Sequence, residues 1–234
     1  MNSSIKADSA IPVVKPASLA APALLIALLV VGFGLPGLGG EAVDLWFQSL
    51  FWDGRSWLIP HDHPVGMALA YRGPKALIIL AAVILIGVAL FRPRRRVRAL
   101  FLLACFALVP VVCTQLRAVS HMATPLDLKL YGGAHEHLLL FQAKPAGYPC
   151  HAFPAGHASG GFALMACHWI LTERRWRGLA LGLGVGAWMG FYQVARGEHF
   201  LSHTLATGLI AWLLCAGLAW AMRGPLTREV SSPN

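Results

Sequence analysis

Three short stretches of the chain carry residue types that could act together on a charged substrate. In QVARGEHFLSHTLATG, Arg196, His199 and His203 stand three and four residues apart, and they share one face if the junction is helical. A cation beside two imidazoles suits either a divalent metal pair of the H-x3-H type or a phosphate site with a nucleophilic histidine. Metal ligation asks for a third protein ligand and no cation among the ligands, so Arg196 weighs against it; exposed interfacial histidines are the plain alternative. In AFPAGHASGGFALMA, Pro154 and Gly156 precede an apolar run that begins near His157, a combination that signals a helix start. Free N–H groups and the positive dipole end there make an anion site. Gly156 would let a phosphate approach the backbone, with His157 at the mouth as a proton donor. Ser159, Gly160 and Gly161 read as small residues that allow close helix packing. In QLRAVSHMATPLDLKLYGG, Arg117 ends an apolar run, where a cation either snorkels or meets an anion; Thr124, Pro125, Asp127 and Lys129 follow it.

The elements that must position these groups are membrane helices. The chain has 234 residues, 57% of them hydrophobic and only 12% charged, about half the charge of a soluble domain. That excludes a soluble, disordered or fibrous protein. The formal charge of +9 would suggest nucleic acid in a soluble chain, but here it marks the cytoplasmic loops of a membrane protein, with no nucleic-acid partner. Cys105, Cys113, Cys167 and Cys215 fall in apolar runs and behave as small hydrophobes, and Cys150 stands in a polar loop, so neither a disulfide framework nor a zinc ribbon is expected. Apolar stretches at 18–38, 76–91, 99–115, 158–171, 179–195 and 204–222 predict six spans. A full crossing takes about 20 residues; the middle four are short and need flanking Arg and Trp to extend them. The first run is too long for a cleavable signal and is read as a retained anchor.

Orientation follows from the cations. Lys6, Lys15, Arg92, Arg94, Arg95, Arg96, Arg98, Arg174, Arg175, Arg177, Arg223 and Arg228 all fall on one side, 12 of the 19 positive charges, and the positive-inside rule makes that side cytoplasmic. Residues 1–17 and 223–234 are then cytoplasmic tails flanking one membrane domain, 18–222, and the segments 39–75, 116–157 and 196–203 face outward. Nine of the ten histidines and seven of the ten acidic residues lie on this outer side, and His168 alone sits within a span. In the first outer segment Trp46, Phe47, Leu50 and Phe51 are spaced for one face of an interfacial helix.

Taken together and in order, the three stretches resemble the type 2 phosphatidic acid phosphatase superfamily of membrane lipid phosphatases, whose pattern is K-x6-R-P, then P-S-G-H, then S-R-x5-H-x3-D. Arg117, Thr124 and Pro125 match the spacing of the first motif, Pro154, Ala155, Gly156 and His157 the second, and His199 with His203 the third. The resemblance covers roughly residues 70–222. Arg stands for the first motif's lysine and Thr124 for its arginine. Ala155 replaces a serine, Gln193 occupies the place of the third motif's arginine with Arg196 one turn on, and His203 stands where the family has aspartate.

The resemblance implies an all-α, six-transmembrane-helix bundle with its active site at the outer membrane surface, working without a metal or cofactor. It implies that His199 attacks phosphorus to form a phosphohistidine, and that His157 protonates the leaving group and then activates water. Arg117, Arg196 and the backbone at Gly156 would hold the phosphate, with Thr124, Lys129 and Asp127 as further candidates. His203, or else Asp127, would orient His199, whereas Glu198 would point about 100° away on a helix. The implied substrate is a phosphorylated lipid of the bilayer, either lipid A or a polyprenyl diphosphate, handled by a bacterial inner-membrane enzyme with a periplasmic site. A phosphotransferase moving phosphate from polyprenyl diphosphate to lipid A is one alternative. Another is a non-enzymatic metal-binding membrane protein using His157, His199, His203 and the His135–His137 pair.

Overall fold

A computed structural model describes residues 17–149, 151–171 and 173–231. Lys6, Lys15, Cys150 and the last three residues of the expected C-terminal tail lie outside them. The described chain is helical, with α1 (Ala17–Gly34), α2 (Gly40–Ser49), α3 (Pro64–Met67), α4 (Gly73–Phe91), α5 (Arg96–Ser120), α6 (Gly156–Ala163), α7 (Arg175–Ala195), α8 (Leu201–Ala221) and α9 (Arg223–Ser231). A π-helical turn, Ala68–Arg72, joins α3 to α4, and a 3-10 segment, Leu164–Trp169, continues α6.

Four helical stretches are long and apolar enough to cross a membrane: Pro64–Phe91, Pro93–Asp127, Arg175–Ala195 and Leu201–Ala221. The apolar helix Leu19–Gly34 is shorter, and the run from Gly156 to Trp169 splits into an α-helix and a 3-10 segment. Each of the six expected apolar stretches is therefore helical, but two fall short of an independent crossing. The split has a packing cause. A Cβ at Gly182 would lie 2.2 Å from the Met165 backbone nitrogen, and one at Gly161 would lie 2.8 Å from Gly186 Cα. The α6 segment thus presses its backbone onto α7, as small residues allow between membrane helices. In contrast, α4 leaves Leu77, Leu80, Val83, Ile84 and Leu90 exposed, as suits a helix whose solvent is lipid.

The core of Phe101, Cys105, Val109, Phe162, Met165, Trp169 and Cys215 joins α5, α6 and α8. The arginine-rich start of α5 meets α9, with Arg98 Nε 3.4 Å from Glu229. Within the expected C-terminal tail α9 is a packed helix, with Leu226 fully buried. The Glu229 carboxylate accepts from the Val97 and Arg98 backbone N–H groups at 2.6 and 3.3 Å. A carboxylate at the start of α5 satisfies donors that the helix itself leaves open.

At the opposite end α2 lies across the turn between α7 and α8. It buries two polar residues: Asp44 accepts from the Ser202 backbone N–H at 2.9 Å and from the Ser202 hydroxyl, and Gln48 Nε2 donates to the Val194 carbonyl at 2.8 Å. Phe51 is buried against Phe191, with ring centroids 5.4 Å apart. Trp46 remains 63% exposed and Leu50 56%, so the outward apolar face is narrower than the aromatic spacing suggested.

Candidate active site

The site forms where α6 begins and α7 turns into α8. The family-like spacing of Arg196, His199 and His203 does not act through a common helical face, because the backbone leaves the helix after Ala195. Gly197 takes φ 79°, and the N–H groups of Gly197 and Glu198 bond to Val194 and Gln193 at 3.0 and 2.9 Å. A residue with a side chain is strained in that left-handed conformation. The turn ends at Phe200, and His203 opens the first turn of α8. The three residues converge by way of a tight turn.

His157, in the first turn of α6, meets His199 there: His157 Nδ1 and His199 Nε2 are 3.1 Å apart, in hydrogen-bond contact. His157 is partly open, whereas His199 is 1% exposed. The buried His203 ring lies 5.9 Å from that of His199 and packs edge-on against Phe153 and Phe200. No hydrogen bond joins His199 to His203; the Ala152 backbone is the hydrogen-bonding group beside both rings, and neither Nδ1 reaches a partner at full hydrogen-bond geometry. The expected orienting contact from His203 is thus not made in this structure. Burial holds the His199 imidazole well below its ordinary pKa, and His203, His157 and Arg117 push the same way.

Two arginines approach this pair. A Cβ at Gly156 would sit 3.1 Å from Arg117 Nη1, so the missing side chain is what lets the guanidinium reach the α6 N-terminus. Arg196 is 4% exposed. Its Nη1 contacts the Met67 sulfur at 2.7 Å, its Nη2 lies 2.8 Å from His61 Nδ1 and 3.4 Å from Glu198, and its Nε has no partner. A buried guanidinium served by a thioether, an imidazole and one distant carboxylate has donors to spare. Glu198 indeed does not face His199; it pairs with His61 at 3.1 Å.

The remaining candidates stand apart. Asp127 Oδ2 accepts from the Thr124 backbone N–H and hydroxyl at 2.9 and 2.7 Å, so both residues are committed to capping the 3-10 turn Pro125–Asp127. That turn docks on the site's own loop through Leu126 N–H to the Gly197 carbonyl at 3.0 Å. Lys129 is exposed and pairs at the surface with Glu136 at 2.6 Å. His135 and His137 part company: one packs on Tyr148, the other bonds Glu41 at 2.9 Å. Among the described residues no group of three His, Cys, Asp or Glu is placed to hold a metal ion.

Sequence reasoning missed Tyr71, Lys75, His61 and Met67. Tyr71 packs edge-on against His157 with centroids 5.1 Å apart, and Lys75 Nζ lies 5.6 Å from the Tyr71 ring. The charges of Arg117, Arg196 and Lys75 all act on His157. A lone lysine at the head of an apolar span was the available signal.

The PAP2 superfamily model matches residues 98–226, more than half of the chain. No curated protein sequence matches. A solved structure described as the first transmembrane PAP2 type phosphatidylglycerolphosphate phosphatase from Bacillus subtilis shares the fold, with a TM-score of 0.61 at 14% identity, over 88% of this chain and 96% of that one.

Proposed function

The chain belongs to the PAP2 superfamily, and from that premise we propose that it is a membrane lipid phosphatase that removes a phosphate or diphosphate headgroup through a phosphohistidine intermediate. The observation that carries this reading is the pairing of a buried and a half-open imidazole, 3.1 Å apart, beneath two guanidinium groups with unused donors. Phosphoryl transfer is mostly positioning and charge neutralisation, with attacking and leaving atoms in line. His199 Nε2 supplies the lone pair that bonds phosphorus. His157 lies where the leaving oxygen departs and supplies its proton, then takes one from the water that hydrolyses the phosphohistidine. The direct bond between the two rings opens when the phosphoryl group seats between them. Arg196, Arg117 and the first-turn N–H groups of α6 take up the growing oxyanion charge.

The substrate reading is a lipid of the lipid A or polyprenyl diphosphate type, whose tail stays in the bilayer. An apolar groove of about 370 Å³ between α4, α6 and α7, lined by Pro74, Leu77, Ile78, Leu164, Val185 and Trp188, supports a lipid rather than a soluble ester. The proposed setting is a bacterial inner membrane, with residues 18–222 as a six-span domain, both termini cytoplasmic and the histidines periplasmic. Phosphate release from purified envelope lipids, wild type against His199→Ala and with chelator present, tests the chemistry. Chelator-resistant release that vanishes in the variant is expected; release that persists in His199→Ala overturns the reading.

A further inference from the structure

An exposed cation at the head of a lipid-facing helix stands at the interface, where it can snorkel to water or meet an anion. Lys75 is the one charged residue of α4, and among the described residues no carboxylate stands within ion-pair distance of it. Its contact is the Tyr71 ring, at 5.6 Å, and that ring in turn packs on His157. Two features aim it there. The π-helical turn Ala68–Arg72 shifts the register just ahead of α4, a device common at functional sites. One turn further along, Ile78 packs over Gly160, 3.6 Å from where a Cβ would stand. Both α4 and α6 run away from the site, so the Ile78–Gly160 contact sets Lys75 level with His157.

In-line displacement fixes what lies on that side. His199 attacks from behind His157, so the leaving oxygen and whatever it carries must sit on the His157 side of phosphorus. Pro74, Leu77 and Ile78, the neighbours of Lys75, open the apolar groove described above. The ammonium therefore stands between the acid and the channel for the chain, where the group joining phosphate to lipid must pass.

We propose that Lys75, steadied by Tyr71, is an anion subsite for the inner phosphate of a lipid diphosphate, and that this makes diphosphates the preferred substrate class. The proposal rests on the hydrolase reading above. The His199 nitrogen forms its bond to the outer phosphorus as the bond to the bridging oxygen breaks. That oxygen keeps the electron pair and takes the His157 proton, leaving a lipid monophosphate whose charge Lys75 holds. Water then releases inorganic phosphate from His199 and returns a proton to His157. A monophosphate ester places only an uncharged alcohol beside Lys75.

Purified full-length enzyme in detergent, given farnesyl diphosphate and farnesyl phosphate as chain-matched probes, tests this. Wild type is expected to favour the diphosphate. In Lys75→Met, kcat/KM for the diphosphate falls at least tenfold and for the monophosphate by a smaller factor, so that their ratio drops fivefold or more; Lys75→Arg restores the ratio to within twofold. Equal losses on both probes, no loss on either, or a wild type that favours the monophosphate while still requiring His199 overturns the Lys75 assignment and leaves the hydrolase reading standing. Activity on either probe that survives His199→Ala overturns the hydrolase reading itself.

Discussion

The turn between α7 and α8 has polar residues on two sides, and they are treated in opposite ways. On the α2 side most contacts are made: Asp44 takes both Ser202 donors and Gln48 Nε2 donates to the Val194 carbonyl, although Gln48 Oε1 is left without a partner. On the α6 side the groups are buried but under-used: Arg196 Nε has no partner, Arg196 leans on a sulfur and an imidazole, and His199 Nδ1 has only the loosely placed Ala152 backbone beside it. Satisfied polar groups hold a turn in place, whereas buried donors with capacity left over are what an incoming phosphate can use. On the proposed function one side is scaffold and the other is site, although the two lie within a few residues of each other.

The comparison breaks most sharply at His199. On the proposed mechanism, which makes the ring a nucleophile rather than a brace, His199→Ala is expected to lower kcat by about 10³-fold or more, with a much smaller change in unfolding temperature in detergent. Phosphate release and thermal unfolding measured together check this. Arg196→Ala is expected to cost about 10²–10³-fold in kcat/KM, the scale of losing one donor to a developing oxyanion. A loss of stability without loss of rate would move Arg196 to the scaffold side.

On that side the sign reverses. Asp44→Ala leaves the Ser202 donors unpaired and is expected to lower stability by about 1–3 kcal/mol while leaving kcat within a few-fold. Burial, opposed by the Ser202 bonds, raises the Asp44 carboxyl to about 6. The folded chain therefore holds a proton that the unfolded chain has already lost between its ordinary carboxylate value and pH 6, so this group's contribution falls as pH rises through that window. Thermal scans from pH 4 to 7.5 should show Asp44→Asn gaining on the wild type as pH rises and levelling above about 6.

His199 titrates the other way. Its pKa is held well below the usual histidine value, so the ring stays neutral and nucleophilic as pH falls through 6.5. The acid limb of the kcat/KM profile is expected well below that point unless another group imposes it. Over the same descent the unfolded ring takes up a proton that the folded one refuses, so stability falls. The smallest effect belongs to Lys129→Met, expected within twofold of wild type in phosphate release, because that side chain is spent on Glu136 at the surface. A tenfold loss there would return it to the site.

The residues themselves made much of this legible. Hydropathy and cation placement located the apolar helices, because a helix that meets lipid must be apolar along its length and the arginines mark its turns. Motif order singles out His157, His199 and Arg117, and Arg196 stands one turn from the motif's arginine position. Tertiary structure decided which of the neighbours in sequence are neighbours in space. Thr124 and Asp127 turned inward to cap one another, Lys129 turned out to Glu136, and His203 stayed near His199 without bonding it. Tyr71, Lys75 and His61 came from a separate stretch to face the histidines and Arg196. A local pattern can specify a helix or a turn, since those depend on bonds a few residues apart. The partner of a side chain depends on which helices pack together and on a backbone reversal such as Gly197, and those are properties of the assembled bundle.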